Sequence, residues 1–260
     1  MSYYGKTLGF FRTAGYDSDA AAFFTGAGIT DAGEKDAWNT FVQGRKGFGG
    51  SGYYSKFYVI HPYIGGDSTK HSYNAINTAT AQLSYSGGLT HNSNGMTGNG
   101  TNGYATFTFS QATNFSSTNG SMGVYVRSVG GGVIEQYLFT DEYSSYLAYL
   151  ASDSNVTFGE MGNASGASMG GSETTGFHSL NIESTDLVYY DKNGFEMSYD
   201  VSGTPPSFGG SNVLIFNYID SIYAASNICF DYQANSLTSS EMADLISAVQ
   251  TLQTSLGRQV

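Results

Sequence analysis

Residues Phe57 to Phe109 open with FYVIHPYIGG (57–66), continue through AQLSYSGG (81–88) and end with YATFTF (104–109). In YATFTF, apolar side chains alternate with Tyr or Thr, a period of two that is typical of a strand with one buried face. AQLSYS alternates in the same way. The polar segment between them carries three Asn-Gly pairs, which favour tight turns because both residue types tolerate positive φ. This stretch therefore predicts a β-sheet with a long polar loop at its edge.

Short apolar segments recur after this stretch, separated by turn residues roughly every 8–12 positions, which predicts an antiparallel β-sandwich or a barrel. The clearest hairpin is DLVYYDKNGFEMSYD (186–200), where Asn193-Gly194 is predicted to form a two-residue turn. FYVIHPYI is expected to be a buried strand that ends near Pro62, because proline cannot donate to a strand ladder.

The strongest helical signal lies near the C-terminus. TSSE (238–241) is a capping box, in which Thr238 and Glu241 satisfy free backbone N–H groups reciprocally. Apolar residues then recur at helical spacing up to Gly257, a residue type that commonly follows helices. A C-terminal helix is therefore predicted over 238–257. Its apolar stripe faces the core or, as the alternative, forms a short coiled-coil seam.

Two shorter helices are predicted before the sheet, the first capped by Asp17 or Ser18 and the second by Thr30. Residues 1–56, which include an aromatic N-terminal arm, are expected to attach the protein to a partner. Residues 57–260 are expected to form the β-sandwich together with the C-terminal helix. The attachment residues are predicted on the apolar face of the second helix and are Trp38, Phe41 and Val42.

Composition favours strands over helices. The chain of 260 residues contains 35 Gly, 21 Tyr and 17 Phe, and only 12% of its residues are charged. This aromatic content fits strands and turns and argues against disorder. The length suffices for one large β-domain without disulfide bonds. The single cysteine, Cys229, lies in the apolar segment NICFDY and is expected to be buried.

The charge is acidic and unevenly distributed. Residues 1–70 hold seven basic and six acidic side chains, whereas residues 71–260 hold three basic and fifteen acidic ones, within a net charge of −11. An acidic body argues against nucleic acid and against an anionic membrane surface as partners, because both need clustered Lys and Arg. The sequence shows neither a signal peptide nor an apolar run long enough for membrane insertion. We therefore expect synthesis in a cytoplasm without export.

Three strings, FYVIHPYIGGDSTKHSYN (57–74), LSYSGGLTHNSNGMTGNGTNGYATF (83–107) and LGRQV (256–260), resemble a group of bacteriophage virion proteins. The resemblance extends from about Tyr16 to Val260 and is weak between Gly120 and Gly176. It implies a concanavalin A-like (laminin-G-like) jelly-roll domain, a location in the virion and other virion proteins as partners. The Tyr-rich arm and the acidic body favour a homo-oligomer.

The resemblance, the charge distribution and the missing export signal together indicate a function. We expect a non-enzymatic structural protein of a phage particle, a tail or head appendage that contacts glycans on the host surface. Two alternatives stay open: a polysaccharide depolymerase, and a capsid cementing or decoration protein.

The acidic residues give little support for catalysis. Glycoside hydrolases need two carboxylates about 5–9.5 Å apart, and the Glu-x-Asp-x-x-Glu pattern of the sandwich glucanases does not occur in this sequence. Closely spaced acids occur at Asp141-Glu142, from Asp186 to Asp191 and from Glu196 to Asp200. Solvated strand faces and turns account for them.

The histidines show no spacing typical of metal ligands. His61, His71, His91 and His178 are dispersed, and neither HExxH nor Cys-x-x-Cys occurs. We expect no cofactor. A Ca²⁺ ion held by loop oxygen atoms is the one metal left open, with Asp67 as its candidate ligand.

The polar loop before YATFTF combines aromatic and amide side chains. Sugar rings stack on Tyr while neighbouring Asn groups bind the hydroxyls, and together they make weak, oriented sites. The predicted glycan-binding residues are His91, Asn94, Asn99, Asn102 and Tyr104. Turn formation and core packing explain the same residues, so that alternative stays open.

Overall fold

The computed structural model describes residues 15–47, 52–130, 137–141, 146–151, 156–160, 175–194, 196–203, 207–208, 212–218 and 222–260. The predicted N-terminal arm, up to residue 14, lies outside the described residues, as does Glu142.

The described helices lie mainly before and after the strands and are α1 Ser18–Ala27, α2 Ala32–Lys46, α3 Ser68–His71, α4 Gln111–Asn114 and α5 Ser239–Ser255. The described strands are β1 Phe57–His61, β2 Ser84–Ser86, β3 Thr90–Asn92, β4 Gly95–Thr97, β5 Tyr104–Thr108, β6 Ser121–Ser128, β7 Tyr137–Asp141, β8 Tyr146–Ala151, β9 Val156–Glu160, β10 Gly176–Glu183, β11 Asp186–Asp191, β12 Glu196–Asp200, β13 Asn212–Ile215, β14 Asn217–Tyr218, β15 Ile222–Tyr223 and β16 Asn227–Ala234.

Eight of the described strands form the larger sheet, in the order β12-β11-β10-β6-β16-β4-β3, with β1 also paired to β16. One edge of β16 pairs with β6. Its other edge pairs with β4 through Asn227 and Ile228, and with β1 through residues 231–234. The first and last of the described strands are therefore neighbours. As expected, β1 ends at His61, immediately before Pro62.

A smaller sheet of six described strands, in the order β2-β5-β13-β7-β8-β9, lies against one face of the larger sheet. Its alternation follows the sequence pattern, since Ala105 and Phe107 are buried while Thr108 is exposed. Phe107 and its cross-strand partner Val213 pack in one cluster with Val124 of β6 and Leu180 of β10. The predicted antiparallel β-sandwich is confirmed.

Helices α1, α2 and α5 cover the other face of the larger sheet. The second hydrophobic cluster joins Trp38 and Phe41 of α2 to Leu245 of α5 and to Phe230 and Tyr232 of β16. With a sheet on one side and helices on the other, all eight residues of β16 are buried. This burial explains why NICFDYQA lacks a period of two. Cys229 is buried, as predicted.

The attachment role predicted for Trp38, Phe41 and Val42 is wrong for these side chains. Trp38 and Val42 are fully buried and Phe41 is 3% exposed. The Trp38 ring stacks on Phe41 at 5.0 Å between centroids, and Phe41 contacts Phe230 edge-to-face at 5.8 Å. An apolar helix face signals burial, and here the partner is the sheet of the same chain. The division of the chain at residue 56 stays a prediction.

The helix caps follow the sequence with one shift. Asp17 caps α1, and Asp31, not Thr30, caps α2 by accepting a hydrogen bond from the Glu34 N–H at 2.9 Å. The capping box that starts at Thr238 is confirmed. The apolar stripe of α5 is buried in the cluster under the helices, so the core-facing reading is correct and the coiled-coil alternative is not.

The hairpin between β11 and β12 is confirmed, but its turn is longer than predicted. The last paired residues are Tyr190 and Glu196. The Gly194 N–H donates to the Asp191 carbonyl at 3.0 Å, which closes a four-residue turn, and Gly194 has φ +75°. Gly194 is thus the last residue of this turn, not one of its two central residues as predicted, and it adopts a positive φ there.

Candidate functional site

Three segments meet at one end of the sandwich, beside the predicted loop. The Gly98 and Gly100 N–H groups donate to the carbonyls of Ser226 and Ala224, at 3.0 and 3.2 Å. The Gly88 N–H donates to Asn102 Oδ1 at 3.2 Å. Residues 87–88, 98–104 and 223–226 therefore form one continuous surface, which we call the loop surface.

Asn99 and Asn102 hold the loop surface together. Asn99 Oδ1 accepts the backbone N–H groups of Thr101, Asn102 and Gly103 at 2.9–3.0 Å. Its Nδ2 donates to Asn102 Oδ1 at 2.8 Å. Both amide oxygens are thus used inside the loop, as turn formation requires. The Asn102 Nδ2 group, on an exposed side chain, has no partner among the described residues.

The loop surface also contains two tyrosines. Tyr104 begins β5 directly after the loop, and Tyr223 ends β15 directly before residues 224–226. Their ring centroids are 6.3 Å apart with an interplanar angle of 39°. Both residues are half-buried, so each presents part of its ring to solvent. Tyr223 carries no sequence signal for this position, because the contact joins residues 119 positions apart.

The predicted glycan residues do not all lie on this surface. Asn94 lies in the turn of the β3–β4 hairpin, where its N–H donates to Asn92 Oδ1 at 2.8 Å. β4 separates it from Gly98 by about 10 Å of extended chain. His91 pairs with Met96 in the middle of the hairpin. The structure therefore brings together Asn99, Asn102 and Tyr104, and places Asn94 and His91 elsewhere.

His91 belongs to a second cluster, where edge strand β2 of the small sheet meets edge strand β3 of the large sheet. Its Nδ1 lies 3.1 Å from Nδ1 of His71, and the two ring centroids are 5.2 Å apart. The Tyr85 ring contacts the His91 ring at 4.6 Å. We call His71, Tyr85 and His91 the edge cluster. Sequence spacing missed it, because the two histidines are twenty positions apart on different elements.

A buried polar network lies beneath the edge cluster. Asp231 accepts hydrogen bonds from His61 Nδ1 at 2.8 Å and from Tyr63 Oη at 2.5 Å. His61 Nε2 lies 2.9 Å from the Ala81 carbonyl oxygen, so both ring nitrogens face acceptors. His61 and Asp231 are fully buried and Tyr63 is 1% exposed.

Burial sets the protonation of the edge cluster. Burial, with smaller contributions from His91 and Arg258, lowers the pKa of His71 to about 3. Burial also lowers the pKa of His91 and raises that of Tyr85. At neutral pH both imidazoles are therefore uncharged, and each keeps one nitrogen lone pair.

Asp67 serves the local fold. It caps α3 by accepting the Lys70 N–H at 2.9 Å, and its other oxygen pairs with Lys70 Nζ at 2.8 Å. These contacts with Lys70 lower the pKa of the carboxyl group. Across the described ranges, three or more His, Cys, Asp or Glu side chains nowhere come together in an arrangement able to hold a metal ion.

The acidic side chains of the sheet edge are partnered by neutral groups. Glu183 lines an open groove of about 500 Å³ together with Asp186 and Glu196. Its carboxylate accepts hydrogen bonds from Tyr190 Oη, from Asn181 Nδ2 and from Ser239 Oγ. Asp186 accepts from Ser198 Oγ at 3.1 Å.

Within the described part of the chain, no helix is long and apolar enough to cross a membrane.

No protein-family model matches the sequence, and no curated protein matches it either. Solved structures share the fold. A mutant of Trypanosoma rangeli sialidase that displays trans-sialidase activity matches with a TM-score of 0.55 and 11% identity, over 76% of this chain and 34% of that one. The same sialidase in complex with sialic acid matches with a TM-score of 0.52 and 15% identity, over 74% and 33%.

The binding domain of botulinum neurotoxin serotype D is similar at a TM-score of 0.50 and 8% identity, over 74% of this chain and 51% of that one. The matched region thus spans a third to a half of these structures. At such identities the likeness shows the fold alone: a β-sandwich.

Proposed function

We propose that this protein is a non-enzymatic component of a bacteriophage particle that contacts host surface glycans through the loop surface. The observation that carries the glycan assignment is the contact between two half-buried rings, Tyr104 and Tyr223, on the loop surface that also carries the exposed amide of Asn102. Aromatic rings next to amide donors are the usual components of a sugar-binding surface.

The loop surface is rigid before a ligand arrives. Asn99 accepts three backbone N–H groups, and the loop is tied to residues 224–226 by two backbone hydrogen bonds. A pyranose ring stacked on Tyr104 would meet donors already held in place, so little conformational entropy is lost on binding. Because the contact area is small and open, the expected affinity is weak, and several copies on a particle would add avidity.

The fold and the net charge of the chain indicate which class of glycan to expect. The structural neighbours include a sialidase solved with sialic acid and a toxin binding domain, which supports a β-sandwich as a carrier of such surfaces. This chain, however, has a net charge of −11, with its acidic excess in residues 71–260. Repulsion disfavours anionic glycans, so the expected ligands are neutral hexose or N-acetylhexosamine chains.

The virion assignment rests on the resemblance of the sequence to phage virion proteins. Attachment to the particle is assigned to the region 1–56, within which the apolar face of α2 is covered by the sheet of the same chain. Homo-oligomerisation and contacts with other virion proteins belong to the same proposal. Imaging of the intact particle with a specific antibody tests it, and an unlabelled particle contradicts it.

A glycan array followed by NMR titration tests the sugar-binding role. The wild-type chain should bind neutral glycans, and Tyr104→Ala and Tyr223→Ala should each weaken binding at least about fivefold, since loss of a stacked ring costs roughly 1–3 kcal/mol in comparable aromatic stacking. Tyr199→Ala is the matched control, because Tyr199 is an exposed tyrosine, 39% accessible, on the distant edge strand β12.

Two outcomes count against this reading. Equal losses in all three variants, or no binding by the wild type, would remove the loop surface as a glycan site. Release of reducing ends from host polysaccharide during the same incubation would instead support the depolymerase alternative.

A further inference from the structure

We propose that His71 and His91 form a binding site for a divalent transition-metal ion of the Zn²⁺ class, ligated by the two facing Nδ1 atoms. This inference is independent of the glycan role, because the edge cluster and the loop surface share no residue. The observation behind it is the 3.1 Å separation of those two nitrogens.

The separation suits two ligands of one metal ion. Imidazole nitrogens bound to tetrahedral Zn²⁺ at 2.0–2.1 Å lie about 3.3 Å apart. The Nδ1 atoms of His71 and His91 therefore need to move by a few tenths of an ångström to admit the ion. Without metal, the pair is held by a single shared hydrogen, donated by one ring to the other.

The two rings are already fixed in place. His71 is 1% exposed and packs edge-to-face on Tyr63 at 5.6 Å. His91 is half-buried and packs against Tyr85 at 4.6 Å.

The surroundings can supply the remaining coordination. His91 is half-buried, so water can complete the coordination of the ion. The negative charge of Asp67 acts on both imidazoles, and the positive charges of Arg258 and Lys70 act on His71. Imidazole ligands favour Zn²⁺, Ni²⁺ and Cu²⁺ over Ca²⁺.

The other histidines do not compete for the ion. The chain contains four, and His61 and His178 are fully buried inside the sandwich. Specific metal binding by a chain produced without a histidine tag therefore reports on His71 and His91.

Isothermal titration of the tag-free full chain with ZnCl₂ tests the proposal, with Co²⁺ absorption as a second probe of imidazole ligation. The expected result is one saturable site per chain. His91→Gln should weaken Zn²⁺ binding at least about 10-fold, since even the loss of groups that only support a ligand costs 10- to 100-fold. Asn92→Gln, on the same strand, should bind as the wild type, and CaCl₂ should give no heat.

A measurement on the unmodified chain guards against misfolding of the variant. In ¹⁵N-edited NMR spectra, Zn²⁺ should shift the Nδ1 resonances of two histidines and leave the other two unchanged. Absence of saturable Zn²⁺ binding, equal affinity in His91→Gln and the wild type, or shifts at His61 and His178 would each overturn the proposal.

Discussion

In two polar regions of this molecule, one side chain accepts several hydrogen bonds, but one region is buried and the other is exposed. In the buried network, Asp231 collects hydrogen bonds from His61 and Tyr63. On the loop surface, Asn99 Oδ1 collects three backbone N–H groups. Asp231 is fully buried, whereas Asn99 is exposed. Water can replace a lost hydrogen bond at Asn99 but not at Asp231. The loss in free energy of unfolding when the acceptor is removed therefore depends on burial and not on the number of hydrogen bonds.

The largest expected effect follows from breaking the buried network. Asp231→Asn removes the negative charge that faces the His61 imidazole and the Tyr63 hydroxyl, and leaves a buried donor without an acceptor. We expect a loss of about 3–5 kcal/mol in the free energy of unfolding, as found when one partner of a buried pair is removed. Urea denaturation measures it.

Asp186→Asn is the control for that variant. Asp186 lies on β11 beside the exposed edge strand β12 and accepts from Ser198. The expected change is within about 0.5 kcal/mol. Similar losses in the two variants would show that burial does not separate the two kinds of site.

The next largest effect is a dependence of the free energy of unfolding on pH, through the buried His71 imidazole. The pKa of His71 is about 3 in the folded chain, against an ordinary value of 6.5. Below pH 6.5 the unfolded chain therefore binds a proton at this site that the folded chain does not, so folding stability is full above pH 6.5 and falls toward pH 3. The slope is about 1.4 kcal/mol per pH unit, or roughly 2 kcal/mol at pH 5.

His71→Gln isolates this contribution. The difference in unfolding free energy between the wild type and the variant should shift by about 2 kcal/mol in favour of the variant between pH 7 and pH 5. Urea denaturation at both pH values gives this difference. Parallel curves for the two proteins would show that His71 binds its proton equally in the folded and unfolded chains, which contradicts the lowered pKa.

Much of the fold could be predicted from local patterns. YATFTF alternates because the smaller sheet has one face in the core, and TSSE marks α5 because capping is a local interaction. Sheet order was beyond such patterns, since β1 pairs with β16 about 170 residues later. The helical period of α2 likewise shows that a face is buried but not what covers it, which is why Trp38 was assigned to a partner.

Some residues of the candidate sites also had a local sequence signal, and others did not. Asn99 and Asn102 were found because Asn-Gly pairs have a local conformational signature. Tyr223 and His71 were not, because each acquires its role from a contact between separate strands or helices. His71 meets His91 through the meeting of two sheet edges, and no spacing rule encodes that.

An intermediate effect is expected within the loop surface. Asn99→Ala removes an acceptor of three N–H groups, and Asn92→Ala removes an acceptor of one. Because the site is exposed, we expect about 1–2 kcal/mol for Asn99→Ala and about 0.5 kcal/mol for Asn92→Ala, measured by thermal denaturation. A larger loss from Asn92→Ala would contradict the assigned role of Asn99.

The smallest effect on stability is expected where the proposed function lies. Tyr104→Ala deletes a half-buried ring at the rim, so the loss should be below about 1 kcal/mol, whereas Phe107→Ala, on the buried face of the same strand, should lose about 3–5 kcal/mol. Urea denaturation and glycan titration of the two variants distinguish a contact residue of the loop surface from a residue of the core. If Tyr104→Ala instead destabilises the chain as much as Phe107→Ala does, the ring is a core residue and the loop surface loses its main contact group. Small stability loss combined with lost glycan binding is the pattern that a contact residue produces, since its ring then serves the ligand more than the fold.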